Sequence, residues 1–488
     1  MDMKIDLQGS FEAIGKWVVT NYTGDSAVKR TLYSVSDDNS FAIWRPQIRC
    51  KANVRIWAFI VKGTGIHTYE ISSIKKEVIQ VDFTDKEPHW AELGTFLLDG
   101  QGEEYIKLYN IQKGNNIRAA EMKFEVLSAD GASVQMTQIV EQEGFGLNFE
   151  EFIDHTPVVA RDKHTDKLWI PAIFSDNMVI QRRMPIRIWG EAKELSEVHI
   201  SLDNYNKRTP VINGKWEVEF PPLEAGKPFN IKISAGSEEI KVKNVLVGEV
   251  WLCSGQSNME LATVRIDNSM NELLGADVPN LRLFKHDMLL NDTSREDVQN
   301  ARWCQASYSS AADFSAIAYI FGNELYKLID VPVGIILSSV GGTKIEYWMS
   351  EDAFGSDEQI KGSFIPCNYY YGVIAPFTNC NVKGVVWYQG ESNETDLNYS
   401  IKLAAMIQDW RKKWGYEFPF LLVQLPQYDV WERFENVRKA QRLVSESLSN
   451  VGLAVCSDLG DIYDLHPTDK RPVAERLAAL AKAIAYNE

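Results

Sequence analysis

Residues 1 to about 135 alternate apolar and polar positions in short runs: VRIWAFIV, HTYEISSI, EVIQVDF, YIKLYN and MKFEVL. The turn segments GTG, DGQGEE and KGNN interrupt them. A period of two puts alternate side chains on one buried face of a strand, and frequent turns fold such strands back on each other. Region 1–135 therefore predicts an all-β sandwich. Residues 136–164 show no periodicity and read as a connector. From 165 to 245 the alternation returns in PIRIWGEA, EVHISLD, KWEVEF and NIKISA, predicting a second, smaller sandwich.

At residue 246 the rhythm changes. Short apolar runs at Val250–Leu252, Gly334–Leu337, Gly384–Trp387, Phe420–Gln424 and Gly452–Val455 alternate with longer segments of helical spacing such as IAYIFGNELYKL. The last of these, RPVAERLAALAKAIAY, sets Val473, Leu477, Leu480 and Ile484 on one face. Strand–helix alternation predicts a parallel sheet covered by helices, with a functional site at the carboxyl ends of the strands. The expected fold is thus a multidomain α/β plus all-β chain, with an α/β/α domain at 246–488 preceded by two β-sandwiches.

Composition fits this picture and narrows it. The 488 residues are too many for one ordinary core. A net charge of −16 argues against nucleic acid and anionic membrane as partners. The opening MDMKIDLQGSFEAIGKW lacks the apolar core of a signal peptide, and no long apolar run predicts a membrane span. Six scattered cysteines, without CxxC or Cys/His metal spacing, read as reduced core thiols.

The candidate chemistry lies in the loops that follow the predicted strands: CSGQSNM, SVGGTKIEYW, YQGESN and SDLGDIYDLHP. Two serines, Ser254 and Ser257, stand in the first. Serine is a weak nucleophile unless an imidazole takes its proton. Of seven histidines only His466 falls in a loop after a strand of this sheet. Loops at one sheet edge converge, so a serine and His466 are expected to meet.

Five ordered blocks then carry a resemblance: DNMVIQRRMPIRIWGEA, VGEVWLCSGQSNME, VGIILSSVGGTKIEYWMS, VVWYQGESN and DLGDIYDLHPTDKRPVAERLA. Over about 165 to 488 they resemble the sialate O-acetylesterase family of the SGNH/GDSL hydrolases. That resemblance implies an SGNH-type three-layer α/β/α hydrolase domain and a serine esterase that removes O-acetyl groups from carbohydrates through an acetyl-serine intermediate. It implies Ser257 as nucleophile, leaving Ser254 to bond backbone at the turn. His466 is the base. The oxyanion hole would take N–H groups from Ser257 and from the Gly341–Gly342 pair, Gly341 being preferred, with the side-chain amide of Gln389 where many such enzymes use asparagine. Glu391, acceptor-only when ionised, would hold its loop. The orienting acid departs from the family pattern: Tyr463 stands three residues before His466, leaving Asp464 and Asp461 as candidates.

The mechanism implied needs no metal and no organic cofactor. Its substrate is an O-acetylated carbohydrate, sialic acid or an acetylated polysaccharide such as xylan. Family members are commonly exported, so the resemblance implies a periplasmic or secreted protein whose leader is not part of this sequence; a cytoplasmic protein is the alternative. A non-catalytic glycan-binding protein with a degenerate hydrolase domain is the competing function, and a hydrolase of other esters a third. The stretch HWAELGTFLLDGQGEEYIKLYNIQKGNNIRAAEMKFE at 89–125 resembles the carbohydrate-binding-like domain of golvesin and some polysaccharide lyases. Trp17, Trp44, Trp57 and Trp90 in this region are core packing or, on the functional reading, a stacking platform for sugar rings.

Overall fold

The computed structural model describes the chain apart from residues 1–9, 15–17, 24–27, 35–40, 47–50, 61–65, 83–88, 101–103, 110–116, 120–121, 130–131, 141–157, 159–160, 162, 267–268, 356, 362–367, 429–433, 461–463 and 487–488. Trp17, Cys50, Cys367 and Asp461 lie outside the described residues. Two compact units divide the chain: Met1–Phe152 with Val264–Met270, and Ile153–Thr263 with Asn271–Glu488.

The first unit is antiparallel β-structure. One sheet orders Ser10–Ile14, Phe41–Arg45, Tyr105–Tyr109, Ile66–Ser72 and Lys76–Asp82; another orders Ala132–Val140, Met122–Ala129, Ala52–Ile60 and His89–Leu98. Alternate residues of both, including Trp44, Val54, Ile56, Tyr69, Leu108 and Phe124, share one core. Trp44 is thus packing. Trp57 and Trp90 are half-buried, and the Lys123 ammonium lies 4.4 and 5.0 Å from their ring centres. The strand Ala132–Val140 pairs with Met122–Ala129, so the β-structure runs past the expected limit at 135.

In the second unit, strands β1 (Glu238–Gly255), β2 (Val278–Lys285), β3 (Arg302–Ala306), β4 (Val333–Ser339), β5 (Gly384–Tyr388), β6 (Phe420–Val423) and β7 (Val451–Ala454) build the main sheet. Their order is β3-β2-β4-β1-β5-β6-β7; all are parallel except β3, which pairs antiparallel with β2. Strand β1 is 18 residues long, and its first half pairs antiparallel with Phe229–Ala235. The expected boundary at 245/246 therefore falls inside a continuous strand that serves two sheets. Three short antiparallel strands, Leu168–Trp169, Ile186–Ala192 and Lys215–Phe220, form a further sheet.

The central strands are buried at every position but Leu337, as parallel strands covered on both faces must be. Strands β2 and β3 escape the apolar pattern because charge interrupts them. Arg282 is buried within β2, where its guanidinium donates to the carbonyls of Pro279 at 2.6 Å and Asn177 at 3.3 Å. The helices α1 (Ser257–Glu260), α2 (Ala316–Ile329), α3 (Tyr399–Trp414), α4 (Glu435–Ser447) and α5 (Arg471–Tyr486) follow the strands. Helix α5 buries Val473, Leu477 and Ala481. Its Leu480 and Ile484 cover Gly452 of β7 so closely that a β-carbon there would lie 2.4 Å from Ile484 Cδ1.

Candidate active site

Strand β1 ends in the buried run Trp251–Gln256 and turns abruptly. Gly255 makes the turn possible. Its φ is +142°, and an added β-carbon would lie 2.1 Å from the Tyr388 carbonyl oxygen on β5. Gln256 N–H then donates to that same carbonyl at 3.0 Å. One helical turn, α1, follows at once. Ser257 is its first residue, in the turn where amides lack intrahelical acceptors.

The loop after β7 brings His466 to the same place. Its Nε2 lies 2.8 Å from Ser257 Oγ, a hydrogen bond between residues 209 positions apart. Both face a cavity of about 440 Å³ lined by Gln256, Ser257, Gly341, Gly342, Glu391, Ser392, Glu394, Tyr428, Phe434, Leu465 and His466. Loops after β1, β4, β5, β6 and β7 each contribute. A larger cavity of about 580 Å³, walled by Trp169, Trp189 and Trp216, contains neither the serine nor the histidine.

Burial holds the His466 imidazole below its ordinary pKa; Lys470 adds to that depression and Asp464 opposes it. The ring is therefore neutral near pH 7 and able to accept a proton. Asp464 does not sit where an orienting acid was expected. Its Oδ1 accepts the backbone N–H of His466 at 2.8 Å, closing a tight turn, and among the described residues no carboxylate meets the ring Nδ1. A separation of two residues favours this local main-chain bond over reach to the ring. Asp458 is also engaged elsewhere, in a two-pronged pair with Arg476 at 2.6 and 2.7 Å.

Three further expectations are altered by geometry. Gln389 is fully buried and does not line the cavity. Its amide nitrogen donates to Asn393 Oδ1 at 2.8 Å and lies 3.1 Å from Gln256 Oε1 and the Thr343 carbonyl, while its oxygen accepts from Tyr399 at 2.8 Å. With two amide hydrogens and three acceptors around them, nothing remains for an oxyanion. Ser254 is wholly buried, and its Oγ has no partner among the described residues, so it makes no backbone bond. Gly341 does stand beside Ser257: a β-carbon on it would lie 3.3 Å from Ser257 Cβ. Its N–H, however, donates to Glu260 Oε2 at 2.6 Å.

Asn258, next to Ser257, was not legible as a site residue. Its amide donates to Glu391 Oε1 at 2.6 Å and to the Leu465 carbonyl at 3.0 Å, and its oxygen accepts from Lys470 at 2.5 Å. One buried side chain thus ties the serine turn to the β5 loop and to the residue preceding His466. Burial raises the Glu391 pKa and lowers that of Lys470 to about 8. Glu391 holds its loop through this network. Tyr428 and Phe434, stacked at 5.5 Å, form the wall that the β6 loop adds. Trp387 and Tyr388 are buried strand-end packing.

His286 does other work. It is buried against Ser338 Oγ at 3.0 Å, and burial drives its pKa down to about 4. Cys253, Cys304, Cys380 and Cys456 carry free thiols. No helix among the described residues is long and apolar enough to cross a membrane.

Known proteins resemble this chain. The family model described as carbohydrate esterase, sialic acid-specific acetylesterase, matches residues 247–482. Human sialate O-acetylesterase is 33% identical over 369 residues, covering 64% of this chain and 70% of the human one. The mouse sialate O-acetylesterase is 28% identical over 398 residues, covering 65% and 73%. Among solved structures, a carbohydrate acetylesterase from Xanthomonas citri superposes with a TM-score of 0.62 at 33% identity, covering 66% of this chain and 76% of that one. A serine and an imidazole in contact at the convergent ends of a parallel sheet, in a sequence this close to named esterases, lead to one assignment: the chain belongs to the sialate O-acetylesterase family of carbohydrate esterases.

Proposed function

We propose that this esterase removes O-acetyl groups from sialic acid or from an acetylated polysaccharide such as xylan, with Ser257 as nucleophile and His466 as general base. The 2.8 Å contact between Ser257 Oγ and His466 Nε2 carries the reading. His466 takes the serine proton as Oγ attacks the acetyl carbonyl carbon. The tetrahedral oxyanion is met by the main-chain N–H groups of Ser257 and Gly341. His466 then hands the proton to the departing sugar oxygen, leaving acetyl-Ser257. Water, deprotonated by the same imidazole, attacks the acetyl group and releases acetate.

Asp464 acts on His466 through the main chain and through its charge, so it is a positioning residue. The SGNH three-layer arrangement is supported by the six parallel strands with helices between them. Export to a periplasmic or extracellular location is supported by resemblance alone. The first unit presents Trp57 and Trp90 half-buried on antiparallel strands, which supports a carbohydrate-facing role for it. A glycan-binding protein without activity is disfavoured, because binding needs neither a nucleophile nor a base in contact.

Mass spectrometry tests the covalent step. Acid-quenched enzyme mixed with p-nitrophenyl acetate should carry one acetyl group on the peptide containing Ser257. An acetyl group on another residue, or a burst without acetylation of Ser257, would refute the assignment.

A further inference from the structure

The donor that the oxyanion requires is already occupied. Glu260 lies three residues beyond Ser257 on the same helical turn, and its carboxylate accepts the Gly341 N–H at 2.6 Å. That oxygen would be 2.9 Å from a β-carbon on Gly341, and the same point is 3.3 Å from Ser257 Cβ. The carboxylate therefore holds the N–H of a glycine that stands beside Ser257. A carboxylate accepts only, as an oxyanion does, and one N–H cannot serve both. Catalysis requires Glu260 to leave Gly341 before the acyl carbonyl arrives.

Glu260 is exposed, so it can swing. What it meets on leaving decides the cost. Tyr369 is close enough to feel its charge; the Tyr369 ring stacks on the buried Trp348 at 5.1 Å and meets the edge of Tyr347 at 6.1 Å. Once it has left Gly341, the exposed carboxylate is free to accept a hydroxyl from a bound polyol.

We propose that Glu260 is a specificity-determining residue that fills the oxyanion donor of Gly341 in the free enzyme and yields it to substrates whose alcohol carries a free hydroxyl able to bind the displaced carboxylate. The proposal rests on the reading of Ser257 and Gly341 given above. The substrate class it selects is the acetylated polyol, a sugar with a hydroxyl near the ester. A simple aryl acetate must displace Glu260 with no compensating bond.

The test is a substrate crossover in the full-length chain, using p-nitrophenyl acetate and an acetylated methyl xyloside as probes. For Glu260→Ala, kcat/KM for the aryl acetate should rise about 3- to 10-fold, and that for the acetylated sugar should fall about 10-fold, the scale of one hydrogen bond. Glu260→Gln, which keeps the shape and can still accept a hydroxyl, should raise the aryl activity while retaining most sugar activity. It also keeps the question answerable if the alanine variant does not fold. Parallel loss on both substrates in both variants would overturn the proposal, since a residue that merely holds the Gly341 loop affects every ester alike. Unchanged kinetics on both would overturn it too. Ser257→Ala, run beside them, separates the two levels: activity surviving there refutes the underlying mechanism, whereas an inactive Ser257→Ala with no crossover refutes only the role of Glu260.

Discussion

At the scale of single residues, the proposed mechanism depends on keeping His466 neutral and pointed at Ser257. Burial and then Lys470 lower its pKa, while Asp464 raises it. The base works only unprotonated, so kcat/KM falls as pH drops through that pKa. Replacing Lys470 by Met removes a depressing charge, and the acid limb of the profile should move to higher pH. Replacing Asp464 by Asn removes a raising charge, and the limb should move to lower pH. A pH–rate series on the two variants checks both signs. The Asp464→Asn loss in kcat should also be modest, about 10-fold, rather than the roughly 10⁴-fold seen when a carboxylate bonded to Nδ1 is neutralised. A loss near the larger figure would mean that the carboxylate reaches the ring during turnover.

At the scale of elements, the site is assembled by five strand-end loops, and their geometry depends on a few tight contacts. Gly255 allows β1 to turn against β5. In Gly255→Ala the new methyl meets the Tyr388 carbonyl and the residue keeps a φ that side chains resist, so unfolding free energy should drop by at least about 2 kcal/mol in chemical denaturation. Asn258 makes a buried bridge between Glu391 and Lys470. Asn258→Ala leaves two buried ionisable groups without that bridge and should cost about 2–3 kcal/mol, read in the same experiment.

How much of this was visible beforehand follows from the elements themselves. Strands β4, β5, β6 and β7 announced themselves as apolar runs because both their faces are covered. The Ser257 and His466 loops followed from their position after such strands. Strands β2 and β3 did not, since Arg282 and Lys285 sit inside β2. Gln389 and Asp464 had the right chemistry and the right loops. What decided their roles was the direction of each side chain, and that is set by Asn393, Gln256 and Tyr399 for the one and by a two-residue turn for the other. Side-chain direction of this kind is set by the folded loop, whether the partner is two residues away or 133, and the residue pattern alone does not show it. Glu260 and Asn258 stood within the quoted serine block, yet their partners lie 81 and 212 positions away.

At the scale of the whole molecule, the second unit carries the match to the carbohydrate esterases, and the first unit adds antiparallel β-structure. Replacing both Trp57 and Trp90 by Ala in the full chain should weaken retention on insoluble acetylated xylan without changing turnover of p-nitrophenyl acetate, as affinity electrophoresis and a colorimetric assay would show. The central claim, that Ser257 activated by His466 performs deacetylation, is tested most directly by acetate release from wild-type protein and Ser257→Ala, each confirmed as folded by circular dichroism. The substrates are O-acetylated sialic acid, acetylated xylan and p-nitrophenyl acetate. The predicted result is acetate release by the wild type from at least one sugar substrate, reduced on the order of 10⁴- to 10⁶-fold in the variant. Wild-type rates in a folded Ser257→Ala protein would contradict the mechanism.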